Sequence, residues 1–191
     1  MELTDRFCDA LTYAARLHAG QRRKATGEPY VAHLLGVAAI ALEYGADEDA
    51  AIAALLHDAA EDQGGQATLD EIAQRFGPAV AEIVAACSDA LVQPKPPWRA
   101  RKEATIAKLP TAPAAVRLVA SADKLHNVES LRRAYQRQGD AIWPQFRGGR
   151  DGTLWYFRGL VAALQQAGPA PLTDELARAV AAFAAELENA K

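Results

Sequence analysis

An all-α fold is predicted by three features of the sequence. Apolar residues recur mostly at three- and four-residue spacing, alanine fills long stretches, and aromatic residues make up only 7% of the chain. The 191 residues, 50% hydrophobic and 24% charged, have the composition of an ordinary folded protein. They suit one domain with a full core, so residues 1–191 are read as a single helical bundle of about nine helices.

The first helix opens at a Thr4 or Asp5 cap, buries Phe7, Leu11, Ala14 and Ala15, and stops at Gly20. The basic stretch Gln21-Arg22-Arg23-Lys24-Ala25-Thr26-Gly27-Glu28 lacks hydrophobic periodicity and reads as a loop. Pro29 then stands as the first residue of a second helix running through His33 and Val37 to Gly45. Asp47 caps a third helix that is apolar around most of its circumference from Ala50 to Leu56, hence central, and that continues into His57-Asp58-Ala59-Ala60-Glu61-Asp62. Thr68 and Glu71 have capping-box spacing and open a fourth helix ending near Gly77, where Pro78 starts a fifth. Pro94, Pro96 and Pro97 form a rigid connector to a sixth helix, Trp98 to Leu109, with Arg99, Arg101 and Lys102 on its polar side. Ala112 to Tyr135 reads as one long helix with Asp123 in its middle. Gly139 to Gly152, which contains Trp143, Arg147 and Arg150, reads as irregular, and two helices near Leu154–Gln166 and Thr173–Glu188 finish the chain.

A formal charge of −3 provides no broad basic field for polymeric nucleic acid and favours a small substrate. Cys8 and Cys87 form no disulfide framework and no metal-binding CxxC, so both are expected reduced and buried. Met1 to Asp9 is acidic, without the basic and apolar regions of a signal peptide, and no apolar run reaches the roughly 20 residues of a membrane span. A cytoplasmic protein without membrane contact is the expectation.

The segment His57-Asp58-Ala59-Ala60-Glu61-Asp62 carries the chemistry. On a continuous helix, His57 with Glu61 and Asp58 with Asp62 form two adjacent columns on one face. Three carboxylates and an imidazole crowded after an apolar run repel and desolvate one another unless a cation joins them. Asp123 lies in the apolar setting Leu118-Val119-Ala120-Ser121-Ala122, where an unpaired carboxylate is costly. The set His33, His57, Asp58 and Asp123 gives two imidazoles and two carboxylates from three helices, a mixed set suited to manganese, iron or zinc. Only His18 and His126 remain beyond His33 and His57, too few for a histidine-rich two-metal centre, so one metal is expected.

The order His33, His57-Asp58, Asp123 resembles the HD phosphohydrolase superfamily. The finer pattern is similar to its RelA/SpoT-type hydrolase branch, in the small stand-alone alarmone hydrolase form. The matching stretches are Gln21-Arg22-Arg23-Lys24 with Gly27-Glu28-Pro29-Tyr30-Val31-Ala32-His33, then Leu55-Leu56-His57-Asp58-Ala59-Ala60-Glu61-Asp62, then Ala122-Asp123-Lys124-Leu125-His126-Asn127. This resemblance implies hydrolysis of the 3′-pyrophosphate of guanosine tetra- and pentaphosphate to GDP or GTP and pyrophosphate, with one manganese ion on His33, His57, Asp58 and Asp123. It implies that Glu61 and Asp62 are the catalytic carboxylates handling the attacking water. Arg23, Lys24 and Tyr30 would lie beside the nucleotide base, with Arg22 the alternative to Arg23, and Asn127 and Ser130 would contact the nucleotide. Spacing agrees for the last two, because Asp123, Asn127 and Ser130 at i, i+4 and i+7 share a helix face. Arg147 and Arg150 are further candidates for neutralising polyphosphate. The expected partner is a small nucleotide, and assembly as a homodimer is compatible with it. Competing readings are another HD phosphohydrolase activity, such as an NADPH 2′-phosphatase or a nucleotidase, and a catalytically silent nucleotide-binding module.

Overall fold

The computed structural model describes residues 2–89 and 94–189, and every secondary-structure element named among them is helical. Helix α1 (Asp5–Leu17) is capped by the Thr4 hydroxyl, which accepts from the Arg6 amide. Its inward face carries Ala10, Tyr13 and Ala14. Cys8 falls on the opposite face and is exposed, while Cys87 is half-buried, so the expectation of two buried thiols fails by helix phase.

The basic loop folds back on itself. Arg22 and Pro29 form an isolated antiparallel bridge, flanked by the Arg23 amide donating to the Glu28 carbonyl and the Tyr30 amide donating to the Gln21 carbonyl, each at 2.9 Å. Pro29 is thus held in the bridge, and α2 (Val31–Glu43) begins two residues later than its position suggests. The Asp47 carboxylate caps α3 (Glu48–Leu56) through the Ala50 amide at 2.8 Å, and Ala50 to Leu56 are all buried. As expected, α3 is the central helix, packed by α1 and α2.

The expected continuation of α3 through the His-Asp segment does not occur. A separate helix, α4 (Ala59–Gln63), follows after a break at His57 and Asp58. In an unbroken helix the Ala54 carbonyl would accept from the Asp58 amide; here it accepts from His57 Nδ1 at 2.8 Å. A side-chain donor competes with the backbone ladder and ends the helix at the histidine. This break adds one helix to the expected number of about nine, giving ten α-helices among the described residues.

Gly65, at φ 63°, then turns the chain into α5 (Gln66–Phe76). The turn replaces the expected Thr68 cap: Thr68 lies inside the helix, buried against Gly64. Pro78 opens α6 (Pro78–Cys87). The prolines 94, 96 and 97 precede α7 (Trp98–Lys108), and residues 90–93 between α6 and Pro94 lie outside the described residues. Helix α8 (Ala114–Gln138) crosses the bundle against α2, α3, α6 and α10 (Pro171–Asn189), which buries Asp123 at its midpoint. The stretch expected to be irregular is a 3₁₀ turn (Gly139–Gln145) followed, after the three residues Phe146 to Gly148, by α9 (Gly149–Gln166). Trp143 anchors the turn, its indole donating to Asp140 at 2.9 Å and its ring packed against Tyr135 and Phe183. A tertiary anchor and a 3.0-residue period hid this turn from a search for 3.6-residue periodicity. No helix among the described residues is long and apolar enough to cross a membrane.

Candidate active site and metal centre

Three elements meet at one point: the first turn of α2, the α3–α4 break and the middle of α8. They bring His33, His57, Asp58 and Asp123 together. His57 Nε2 lies 3.1 Å from Asp58 Oδ2 and 3.6 Å from Asp123 Oδ1; His33 Nε2 lies 3.3 Å from Asp123 Oδ1 and 3.7 Å from Asp58 Oδ2. Both Nε2 atoms are buried without a hydrogen-bond partner. The ligand atoms of His33, His57 and Asp58 all fall within 4.8 Å of one another.

The donor set fits a divalent cation. Because the Ala54 carbonyl can only accept, His57 Nδ1 carries a proton, which leaves Nε2 for a metal. Burial disfavours a charged His57, yet the Asp58 and Asp123 carboxylates beside it raise its pKa well above the usual value. Burial likewise opposes ionisation of Asp58 and Asp123. The His57 and His33 contacts nevertheless hold Asp58 well below the usual carboxylate range, and Lys124 and then His57 do the same for Asp123. A buried carboxylate, Asp123, and a half-buried one, Asp58, that together recruit a proton onto a neighbouring imidazole provide the charge balance a cation would supply.

The centre forms the floor of a cleft of about 510 Å³. On one wall, Tyr30 donates its hydroxyl to Asp58 Oδ2 at 2.5 Å. Arg23 lies 5.6 Å from the centroid of the Tyr30 ring and reaches across to Asn127 Oδ1 at 2.6 Å, while Asn127 donates in turn to Asp123. Arg22 instead donates to the Gly27 carbonyl of its own loop, so Arg23 is the one of the pair that spans the cleft. Lys24, Ser130 and Arg147 line the cavity. Arg150 does not: its guanidinium donates to the Leu187 carbonyl near the end of α10, which removes it from the substrate candidates.

Glu61 and Asp62 both line the cleft but face different partners. Glu61 Oε1 is 2.9 Å from Lys95 Nζ and 3.7 Å from Arg101 Nη1, while Oε2 accepts from the Asp89 amide at 2.9 Å. Asp62 accepts from Gln21 at 2.7 Å, and burial together with nearby Asp58 raises its pKa. On the far wall, Asp89 accepts from Arg101 at 3.2 Å, from Thr105 at 2.8 Å and from Lys102. Sequence reasoning missed Lys95, Asp89 and Lys124 as parts of the site. The only signal for the far wall was Arg101, Lys102 and Thr105 on one face of α7, which has meaning only once that helix is seen to border the cleft.

An HD-domain family model matches residues 10–154. The chain belongs to the HD-domain family. Among relatives of this HD-domain chain, human guanosine-3′,5′-bis(diphosphate) 3′-pyrophosphohydrolase MESH1 is 38% identical over 128 residues, covering 65% of this chain and 69% of the relative. An Aquifex aeolicus protein named guanosine-3′,5′-bis(diphosphate) 3′-pyrophosphohydrolase is 48% identical over 75 residues, which is 39% of this chain and 10% of that one. A solved structure titled as a metazoan ortholog of SpoT that hydrolyzes ppGpp superposes with a TM-score of 0.80 at 27% identity, covering 95% of this HD-domain chain and 97% of the other. A crystal structure from Listeria monocytogenes superposes at 0.69 with 34% identity, covering 78% and 96%.

Proposed function

We propose that this HD-domain protein hydrolyses guanosine tetra- and pentaphosphate, releasing the 3′-pyrophosphate and leaving GDP or GTP, with one manganese(II) ion held by His33, His57, Asp58 and Asp123. The observation that carries this reading is the pair of buried, partnerless Nε2 atoms facing the Asp58 and Asp123 carboxylates on the floor of a cleft with basic walls. The names of the relatives supply the substrate. When bound, the cation supplies Lewis-acid and water-activating chemistry.

The chain's own residues divide the remaining work. Arg23, stacked near Tyr30 and bonded to Asn127, borders the place for a purine base, with Lys24 and Ser130 beside it. Lys95, Arg101, Lys102 and Arg147 line the cavity as counter-charges for the phosphates. Glu61 takes the proton of the attacking water, and Asp62, steadied by Gln21, orients that water. The oxygen of water forms a new bond to phosphorus, the bond from phosphorus to the 3′ oxygen breaks, and that oxygen leaves with a proton. We assign the reaction to the cytoplasm, where the exposed Cys8 thiol stays reduced.

The test is a product assay on metal-depleted protein reconstituted with manganese, zinc or magnesium in turn. Pyrophosphate release from guanosine tetraphosphate, fastest with manganese, is expected. An intact alarmone alongside rapid phosphate release from NADPH or simple nucleotides would transfer the same site to a different substrate, and turnover of none of them would leave a binding module.

A further inference from the structure

His126 is neither one of the four ligands nor one of the residues given a role in turnover. Its Nδ1 lies 2.9 Å from Nδ1 of His33, and the two ring centroids are 4.8 Å apart. At that distance the two nitrogens share a single proton, since two N–H groups would repel and two lone pairs would leave both unpaired. His33 is 1% exposed, and its Nε2 faces Asp58 and Asp123. To bind a cation there, a neutral His33 must carry its proton on Nδ1. His126 Nδ1 is then the acceptor, with its own proton on Nε2.

The other ligand histidine reaches this state differently. His57 Nδ1 donates to the carbonyl three residues back. For His33 the equivalent carbonyl belongs to Tyr30, and it already accepts from the His33 and Leu34 backbone amides at 2.9 and 3.4 Å. An acceptor must therefore come from another helix, and α8 provides it. The approach also depends on Gly36: a Cβ there would stand 2.2 Å from His126 Cδ2 and 2.4 Å from its Nε2. Glycine is unfavourable in a helix interior, and here it opens the slot in which the His126 ring rests.

We propose that His126 is a positioning residue for the metal centre, accepting the Nδ1 proton of His33 and so holding the tautomer whose Nε2 lone pair faces Asp58 and Asp123, in a slot kept open by Gly36. This rests on the metal-centre reading above. A neutral partner performs this task without adding charge to a site that already holds two carboxylates, unlike the carboxylate that often sits behind a ligating histidine.

The experiment measures manganese(II) affinity of the full chain by electron paramagnetic resonance of the free ion, and histidine tautomers by long-range proton–nitrogen NMR on metal-free protein at pH 9, where four histidines keep assignment tractable. His33 Nδ1 is expected protonated and His126 Nδ1 bare. His126→Phe should weaken manganese binding about 10- to 100-fold, and Gly36→Ala should do the same by displacing the ring. His126→Asn, which keeps an acceptor near the Nδ1 position, should remain within about threefold of the parent. A bare His33 Nδ1, or a His126→Phe affinity within that threefold range, overturns the proposal; an unaffected Gly36→Ala overturns the slot. Absence of manganese binding by the parent protein would overturn the metal-centre reading instead, while the tautomer spectrum would still decide the role of His126.

Discussion

Glu61 and Lys95 form an ion pair at 2.9 Å, in which the ammonium group occupies one oxygen of the carboxylate proposed to accept the water's proton. The other oxygen is held by the Asp89 amide. The pair fixes the orientation of Glu61, and a polyphosphate entering the cleft is expected to compete with Oε1 for Lys95 and for Arg101, whose Nη1 lies 3.7 Å from the same oxygen.

Glu61→Gln is therefore expected to lower kcat by about 10²- to 10⁴-fold while metal content stays at the parent level. Lys95→Ala should act chiefly on KM for guanosine tetraphosphate, because it removes a counter-charge rather than the base. Steady-state kinetics beside elemental analysis of both variants checks this. Parallel loss of metal in Glu61→Gln would place Glu61 in the metal site.

Metal should stabilise this protein more at high pH than at low. The pKa of His57 is raised above its ordinary value of about 6.5. The stability contributed by the protonated ring is therefore fully present below that value, and it is lost as pH rises through the folded-state pKa. A divalent cation replaces that proton, so its binding strengthens over the same range. The manganese-induced rise in Tm should increase from pH 6 to pH 9, and Asp58→Asn should abolish it. A Tm shift that is flat across this range would uncouple the ion from His57.

Asp89 gives the opposite sign. Burial pushes its carboxyl pKa up, but Lys102 and Lys124 more than offset this and hold it below the usual carboxylate value of about 3.9. Its contribution is present above that value and is lost as pH falls through the folded-state pKa. Asp89→Asn should cost about 2–3 kcal/mol in urea unfolding near pH 7, with the gap to the parent closing as pH drops below about 4. A gap unchanged at low pH would mean that the hydrogen bond to Thr105, rather than the charge, ties α7 to the site.

The order of the helices, the central place of α3 and the four residues that converge on the candidate metal centre were legible in the sequence because each rests on local information. Asp47 caps its own helix, Pro78 opens one, and a carboxylate such as Asp123 in an apolar run needs a partner wherever the chain goes. Reading failed where a side chain overrode the backbone or where position in space decided the outcome. Nothing local predicted that His57 would take the Ala54 carbonyl and end α3, or that Gly65 rather than Thr68 would set the start of α5. Arg147 and Arg150 lie three residues apart in the same basic stretch, yet one lines the cleft and the other donates to Leu187. By itself the sequence determined the donor types and the helices that carry them, through periodicity and the cost of burying charge. Only the tertiary structure decided which basic residues reach the cleft, that Lys95 holds Glu61 and that His126 stands behind His33, because those contacts join residues 34 and 93 positions apart.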